Sequence, residues 1–256
     1  MLLTFPVDLA FYYAGIPAVI LLGLSKGGFA GLSALAMPLF ALAMSPVKAA
    51  AIVLPLLIVQ DWVSVWAFRR DWDARNLLIL TPAAAIGVAA GWLLAAQVDE
   101  EAVRLAVGAI SVGFVVFMLL RNRLARGAAT APNIAPGLFW GAIAGFTSFI
   151  NHVGAPPVMA YMLPQKLPPR LFAGTAAVFF AIVNLLKLWP YFALGQFSRD
   201  NLSASASLLP VAILSILAGV WLVRRVSAER FYVAILTLTF LVGVKLIWDG
   251  AWGLWG

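Results

Sequence analysis

Two short stretches of this sequence combine glycines with polar side chains in otherwise apolar surroundings. They are residues 23–31, GLSKGGFAG, and residues 151–157, NHVGAPP. Backbone at bilayer depth must satisfy its own hydrogen bonds, so a non-helical turn occurs there only where protein or a water-filled cavity surrounds it. Two breaks in matching positions of two halves of a chain indicate a binding site for something polar.

The first break has the residue types of an anion site. Lys26 lies between two apolar arms of roughly 15 residues, and a bare ammonium at that depth costs about 2.5–3.5 kcal/mol, so it needs a partner. Glycines let the backbone approach a ligand closely, and N–H groups at a helix start attract negative charge. We therefore interpret Ser25, Lys26, Gly27 and Gly28 as anion ligands. The alternative is a lysine that extends to the membrane interface.

The second break offers similar donors. Asn151, His152 and the backbone of Gly154 can each donate a hydrogen bond, whereas the two prolines that follow have no N–H and suit the first turn of a helix. His152 is the only histidine in the chain, so any proton shuttle through an imidazole depends on it. A purely structural hydrogen bond is the alternative role for His152.

Four further polar residues lie within apolar runs. Asn184 and Lys187 are three residues apart and so share a helix face. Asp61 either pairs with a lysine or carries a proton for coupled transport. Thr175 either donates to a substrate or, with Gly174 beside it, allows close helix packing. We expect these four residues to form the wall of the site, with Asp61 and His152 as the candidates for coupling.

The composition defines the class of protein that must position these residues. Of the 256 residues, 64% are apolar and 11% are charged, and the mean hydropathy is +1.01. A water-soluble domain of this size could not bury so much apolar surface, which predicts an integral membrane protein. The chain has no cysteine, which excludes thiolate metal sites and cysteine nucleophiles. No cofactor or metal is expected. The net charge of +7 is typical of topology control by basic loops, and we expect no nucleic-acid partner.

The hydropathy pattern predicts an all-α integral membrane protein made of two inverted repeats. Each repeat has a broken or re-entrant first segment followed by three transmembrane helices, which gives about eight helical segments. The N-terminal repeat is residues 1–120, the basic cytoplasmic linker is residues 121–136, and the C-terminal repeat is residues 137–256. The segments are predicted at residues 9–43, 48–68, 77–96, 103–120, 137–163, 171–194, 204–223 and 231–248.

Matching positions in the two halves support an internal duplication. When the two breaks and the helices that follow them are aligned, residues of related character coincide. The aligned pairs are Gly28 with Gly154, Lys26 with His152, Asp61 with Asn184 and Trp66 with Trp189.

The basic loops predict the orientation of the chain. If each broken region returns to the side it entered from, the loops 69–75, 121–136, 164–170 and 224–230 share one side. They hold eleven of the seventeen Lys and Arg residues, and the opposite side is acidic. The positive-inside rule therefore predicts a multi-pass protein of the bacterial inner membrane with its N-terminus outside, in an arrangement that suits alternating access.

Motifs along nearly the whole chain resemble one known family. They are residues 23–29 with Met37-Pro38-Leu39, the helix with Pro55 and Asp61 that ends at Arg69-Arg70, residues 151–156, and Phe172-Ala173-Gly174-Thr175 with Asn184, Lys187 and Tyr191. The sequence is similar in these motifs to the TauE/SafE family of sulfite-exporter-type permeases. The resemblance implies export, or in some members uptake, of sulfite, sulfonates such as sulfoacetate, or related small organic anions. His152 and Val153 depart from the asparagine- and glycine-rich form of many members.

We therefore predict a secondary transporter, an exporter of a small sulfur-containing anion, and not an enzyme. The alternatives are an uptake permease for a small organic anion coupled to protons, a passive channel, and an intramembrane hydrolase. Residues 23–27 match the pattern G-x-S-x-G, but a nucleophile elbow needs a strand before the helix, and only Ser25 and His152 could act together. The expected partners are the small anion, the lipid bilayer, protons if transport is coupled, and a second copy of the chain if a homodimer forms.

Overall fold

A computed structural model of the protein describes residues 9–29, 32–41, 43–44, 46–94, 99–124 and 129–255. Ala30 and Gly31 of the first break and residues 125–128 of the linker lie outside the described residues. Ten α-helices form within the described part, and short 3-10 turns occur at Leu32–Leu35 and Leu163–Gln165. The helices are α1 Leu9–Lys26, α2 Ala36–Ala41, α3 Pro46–Ala67, α4 Ala74–Leu94, α5 Glu100–Leu124, α6 Ile134–Asn151, α7 Ala155–Met162, α8 Pro169–Ala193, α9 Arg199–Val223 and α10 Ala228–Trp255.

The regular secondary structure of the described residues is entirely helical and includes no strand, which confirms the predicted all-α class. Six helices are long and apolar enough to cross a bilayer, namely α1, α3, α4, α8, α9 and α10. Their lengths of 18 to 25 residues within the apolar windows match the roughly 20 residues that a hydrocarbon core of about 30 Å requires. The chain is thus a multi-pass membrane protein.

Each broken region turns back on itself. In the first, the ring of Phe40 at the end of α2 lies 6.5 Å from the ring of Phe11 at the start of α1. In the second, Tyr161 near the end of α7 packs against Gly137 near the start of α6. Because the end of the second arm lies beside the start of the first in both cases, both regions are re-entrant hairpins.

The arms of these hairpins are unequal in length, which the sequence did not predict. We expected two arms of similar length around the first break, but α1 has 18 residues and α2 has 6. The second hairpin repeats this asymmetry, with 18 residues in α6 and 8 in α7. At 1.5 Å per residue, each first arm is about 27 Å long, close to a full crossing.

Local sequence explains where the first arms end. Gly28 follows α1 with a φ of +132°, a conformation that side chains with a Cβ rarely adopt, and Lys26 places a cation at the negative end of the helix dipole. Helix α6 ends at His152, which has a left-handed φ of 57° and donates its N–H to the carbonyls of Ser148 and Thr147. Prolines in the first turn then start α7, where a missing N–H costs little.

The most extensive helix contacts join one half of the chain to the other. Helix α1 packs on α9 and α6 packs on α4, while α3 also contacts α9 and α4 also contacts α8. Helices α3 and α8 contact each other, and so do α5 and α10. Helices α1 to α5 correspond in order to helices α6 to α10. The pattern of contacts is unchanged when each helix is exchanged for its counterpart in the other half. The two halves are therefore interlocked around a shared core.

The loops with most basic residues lie at one end of the bundle. The Arg224 side chain donates to the carbonyl of Ala67 at 2.9 Å, which places the 224–230 loop beside the 69–75 loop. The Thr130 N–H donates to the carbonyl of Pro164 at 3.1 Å, which places the described end of the linker beside the 164–170 loop. The carboxamides of Asn76 and Gln165 exchange hydrogen bonds of 2.8 and 3.0 Å, and these link the two pairs of loops.

Candidate functional site

A small cavity lies between the tips of the two hairpins. Its volume is about 30 Å³, enough for about one or two water molecules. Both breaks contribute to its wall, together with α3 and α8. The residues that line it are Leu22, Ser25, Lys26, Gly28, Ser33, Leu57, Ser148, His152, Ala155, Ala173, Ala176, Ala177, Phe180, Asn184 and Lys187. The predicted convergence of the two breaks on one cavity that contains charged side chains is thus observed.

Lys26 forms an ion pair with Asp61 on α3. Its Nζ atom lies 2.5 Å from Asp61 Oδ1, and it also lies over the ring of Phe180 at 5.1 Å from the ring centre. The carbonyl of Lys26 accepts a hydrogen bond of 2.8 Å from the Ser64 hydroxyl, one helical turn after Asp61. Helix α3 therefore holds both the side chain and the backbone of the residue at the first break.

Asp61 uses both of its carboxylate oxygens. Oδ1 accepts from Lys26, and Oδ2 accepts a hydrogen bond of 2.7 Å from the side-chain amide of Asn184 on α8. Asp61 is only 3% exposed, so its charge depends on these partners. Removing one partner of a buried ion pair typically costs about 3–5 kcal/mol because the other charge is left uncompensated.

Lys187 is fully buried and has three hydrogen-bond partners at the second break. Its Nζ atom lies 3.1 Å from the carbonyl oxygen of Ser148, 3.2 Å from the hydroxyl of the same residue and 2.9 Å from His152 Nδ1. All three partners can accept hydrogen bonds and none is charged. An ammonium has three N–H groups, so this set of acceptors matches it in number.

The partners of His152 fix the tautomer that fits the structure. Nε2 lies 3.4 Å from the carbonyl of Ala50, which can only accept, so the ring proton fits on Nε2. Nδ1, 2.9 Å from Lys187 Nζ, is then left to accept, and Nε2 also lies 3.4 Å from the hydroxyl of Tyr191. Both ring nitrogens are thereby engaged. Ser25 and His152 both line the cavity, but no hydrogen bond joins them, so the structure does not display a serine–histidine pair.

The glycine N–H groups of the first break are already bonded. Gly27 donates to the carbonyl of Gly23 at 2.8 Å, and Gly28 donates to that of Ser25 at 3.1 Å. In this conformation neither N–H is available to an anion, contrary to our expectation of a backbone cradle. Instead, Gly27 lies where a Cβ would come within 2.5 Å of the Cα of Gly219 on α9. Its small size serves helix packing.

At the second break the backbone offers fewer free N–H donors than the start of a helix normally does. Gly154 precedes α7, and Pro156 and Pro157 in the first turn have no N–H. Ala155 lines the cavity, and its N–H has no hydrogen-bond partner among the described residues. Asn151 is the last residue of α6, but its side chain lies outside the described part of the structure.

Thr175 lies away from the cavity lining. Its hydroxyl donates to the carbonyl of Leu171 at 2.7 Å and accepts from the N–H of Asp73 at 2.9 Å. Next to it, Gly174 packs against the backbone of Asp71. Thr175 thus fixes the loop after α3 onto α8 and supports the site indirectly.

Several residues of the site were not predicted from sequence. Ser148 binds Lys187, Ser64 binds the carbonyl of Lys26, and Phe180 covers the Lys26 ammonium. Ser33 also lines the cavity. The available signal for Ser148 and Ser64 was their spacing, because Ser148 lies one turn before His152 and Ser64 lies one turn after Asp61.

The two hairpin tips contact equivalent points on α3 and α8. His152 contacts the carbonyl of Ala50 on α3, whereas a Cβ at Gly28 would lie 3.2 Å from that of Ala173 on α8. Ala50 and Ala173 are 123 residues apart in the sequence, as are Asp61 and Asn184. The aligned pair Asp61 and Asn184 meets directly at the centre of this arrangement.

The described residues therefore define a polytopic α-helical membrane protein with a buried, charged cavity between two re-entrant hairpins. Re-entrant segments that meet in this way are typical of secondary transporters. The chain belongs to the sulfite exporter TauE/SafE family, whose family model matches residues 15–246. Searches of curated proteins and of solved structures gave no match. The family is one of sulfite-exporter-type membrane transporters, and the matched stretch contains every residue that lines the cavity.

Proposed function

We propose that the protein exports a small sulfur-containing anion, such as sulfite or an organosulfonate, by alternating access at the cavity between the two hairpins. The observation that carries the proposal is the convergence of two lysines on one buried cavity: Lys26 of the first break, and Lys187 of α8, whose ammonium lies 2.9 Å from His152 of the second break. Among the described residues, these two cations line the cavity and one carboxylate, that of Asp61, lies beside it, which leaves an excess of positive charge that attracts an anion.

The small volume of the cavity fits a contracted state of a transporter. Space for about one or two waters is too little for a sulfonate, so the hairpins must move apart before a substrate enters. The exchange symmetry of the helix contacts supports two inverted repeats, residues 1–120 and 137–256, that swap roles as access alternates. We place the protein in the bacterial inner membrane with its N-terminus outside.

The membrane potential favours export without a second ion. With the cell interior negative, each exported negative charge gains about 2.3 kcal/mol per 100 mV. Proton-coupled uptake would have to work against this gradient through His152 or Asp61. Both residues are engaged in hydrogen bonds within the site, Asp61 with Lys26 and His152 with Lys187.

The test is anion efflux from proteoliposomes with Lys26→Met and a matched control. Sulfite, methanesulfonate, sulfoacetate and acetate would be compared as substrates. We expect saturable efflux of a sulfur-containing anion and counterflow in the unaltered protein, and efflux reduced at least about tenfold by Lys26→Met because the site loses a cation. Lys245→Met makes the same change at a half-exposed lysine on α10 that pairs with Asp249, and it should retain efflux.

Two results would contradict the proposal. Equal efflux in Lys26→Met and the unaltered protein would remove the cavity as the site of transport. Efflux that does not saturate and shows no counterflow would instead indicate a passive channel.

A further inference from the structure

The charges around the cavity do not cancel. Lys26 is neutralised by Asp61 at 2.5 Å, whereas every partner of Lys187 among the described residues is uncharged. We propose that the empty site carries one net positive charge, that it takes a singly charged anion in preference to a doubly charged one, and that Asp61 sets this valence. This inference rests on the transport function proposed above.

The hydrogen bonds of Lys187 agree with a charged side chain. The three N–H groups of an ammonium match the Ser148 carbonyl, the Ser148 hydroxyl and His152 Nδ1, which all lie within 3.2 Å of Lys187 Nζ. One of these acceptors is His152 Nδ1, which can accept only when that nitrogen carries no proton. A neutral imidazole and an ammonium satisfy this geometry together, so His152 adds no charge to the site.

Asp61 is held in place when the substrate arrives. Its Oδ2 accepts from Asn184, which lies on the same face of α8 as Lys187, and α3 fixes its backbone. An anion that binds between Lys26 and Lys187 therefore joins the carboxylate in the site without displacing it. With one negative charge on the substrate, the charges of Lys26, Asp61, Lys187 and the substrate add up to zero. A second negative charge on the substrate would remain uncompensated in the buried site.

This charge balance determines which step responds to voltage. The loaded site is neutral, so its reorientation moves no net charge across the membrane. The empty site carries a positive charge, and an interior-negative potential draws it back to face the cytoplasm. Exchange of one anion for another uses only the loaded protein, whereas net efflux also requires the return of the empty protein.

The first experiment uses the unaltered protein in proteoliposomes with methanesulfonate. Net efflux and self-exchange would be measured at 0 and −100 mV, with the voltage set by a potassium gradient and valinomycin. A full charge that crosses this field shifts an equilibrium about 50-fold, so we expect net efflux to accelerate several-fold. Self-exchange should stay unchanged within error.

Self-exchange that accelerates with voltage as much as net efflux would overturn the inference, because the loaded protein would then carry the charge. A complete lack of saturable efflux and of exchange would instead overturn the transport function itself. The two failures are therefore distinguishable in one set of vesicles.

The second experiment tests whether Asp61 determines the charge of the anion that the site prefers. Methanesulfonate and sulfate, with one and two charges, would compete for transport in the unaltered protein and in Asp61→Asn. The substitution adds one positive charge, and we expect the preference to move toward sulfate by at least about tenfold. The double variant Lys26→Gln with Asp61→Asn restores a single excess charge and should return the preference to methanesulfonate.

An unchanged preference for methanesulfonate in Asp61→Asn would contradict the assignment of valence to Asp61. If that variant does not fold, the voltage comparison on the unaltered protein still decides the charge of the empty site.

Discussion

Asn184 is the one uncharged side chain among the described residues that donates a hydrogen bond to the carboxylate of Asp61. Its amide donates to Asp61 Oδ2 at 2.7 Å in a fully buried position. Asn184→Ala leaves that oxygen unsatisfied, and hydrogen bonds to charged groups contribute about 1.5–3 kcal/mol, so we expect the free energy of unfolding to fall by that amount. Thermal unfolding in detergent would measure the change.

Asn201 provides the control for this prediction. Its side-chain amide donates to the neutral carbonyl of Gln196 at 2.9 Å near the end of the bundle. Asn201→Ala should therefore cost only about 0.5–1.5 kcal/mol. If the two variants unfold at the same temperature, Asn184 does not support a charged Asp61.

At the level of single residues, the sequence predicted most of the polar groups that meet, with Thr175 as the exception, but not how they pair. Lys26, Asp61, Asn184, His152 and Lys187 are conspicuous because a charge or amide within an apolar helix needs a partner. The choice of Asp61 for Lys26 and of His152 for Lys187 depends on the helix packing, which hydropathy does not contain. Serines and a phenylalanine are common in such helices, so Ser148 and Phe180 carried no signal of their own.

Two helix crossings place the hairpins, and both depend on small residues. In the first, Gly23 of α1 and Gly27, which directly follows this helix, lie against Ser215 and Gly219 of α9. In the second, Gly145 of α6 lies against the backbone of α4. Small residues allow helix backbones in membranes to approach closely, since packing there replaces the hydrophobic effect as the source of association.

Gly27→Ala tests the first crossing. The added Cβ would come within 2.5 Å of the Cα of Gly219, a backbone atom that cannot rotate away. We expect a loss of about 1–3 kcal/mol in the free energy of unfolding, as for other overpacked sites. Because the crossing also positions Lys26, anion efflux should fall in parallel. Thermal unfolding and efflux would both be measured.

Gly113→Ala in α5 is the matched control, because a Cβ there meets nothing within 4 Å. It should leave stability unchanged or raise it slightly, since alanine favours helix over glycine by about 0.5–1 kcal/mol. Equal effects of the two substitutions would show that the loss of a glycine, and not the crossing, determines the outcome.

At the level of elements, the breaks were predictable and the lengths of the arms were not. Residues 23–31 and 151–157 interrupt apolar runs with glycine, proline and charge, which is a local signal. The unequal arms follow from where the chain turns after each break. Hydropathy does not mark that point, because the residues of α2 and α7 are apolar like those of α1 and α6. The role of Gly27 in packing was hidden because its partner, Gly219, is distant in the sequence.

On the scale of the whole molecule, the interlocked halves require that the four basic loops share one side of the membrane. Contacts between these loops place them at one end of the bundle, and their excess of arginine and lysine predicts that this end faces the cytoplasm. If the second hairpin crossed the membrane fully, the loop at 224–230 would move to the other side. The re-entrant hairpins are therefore the feature on which the inverted arrangement depends.

Cysteine labelling can test this topology without background, because the chain contains no cysteine. In sealed right-side-out vesicles, a membrane-impermeant maleimide should label Asp200→Cys, since Asp200 is exposed at the opposite end. It should not label Arg70→Cys, Arg170→Cys or Arg225→Cys, which are exposed at the basic end. All four variants should react after the vesicles are opened with detergent, which controls for buried thiols.

The result at Arg225→Cys decides between the two arrangements. Labelling of Arg225→Cys from outside, with Arg70→Cys still protected, would mean that the halves differ by one crossing and are not inverted copies. If Arg70→Cys and Arg225→Cys are both protected and Asp200→Cys is labelled, the chain crosses the membrane an odd number of times between the start of α3 and the start of α8. An odd number reverses the orientation of the second half, and under this reversal the hairpins that carry Lys26 and His152 would reach α3 and α8 from opposite faces of the membrane, as the proposed alternating access requires.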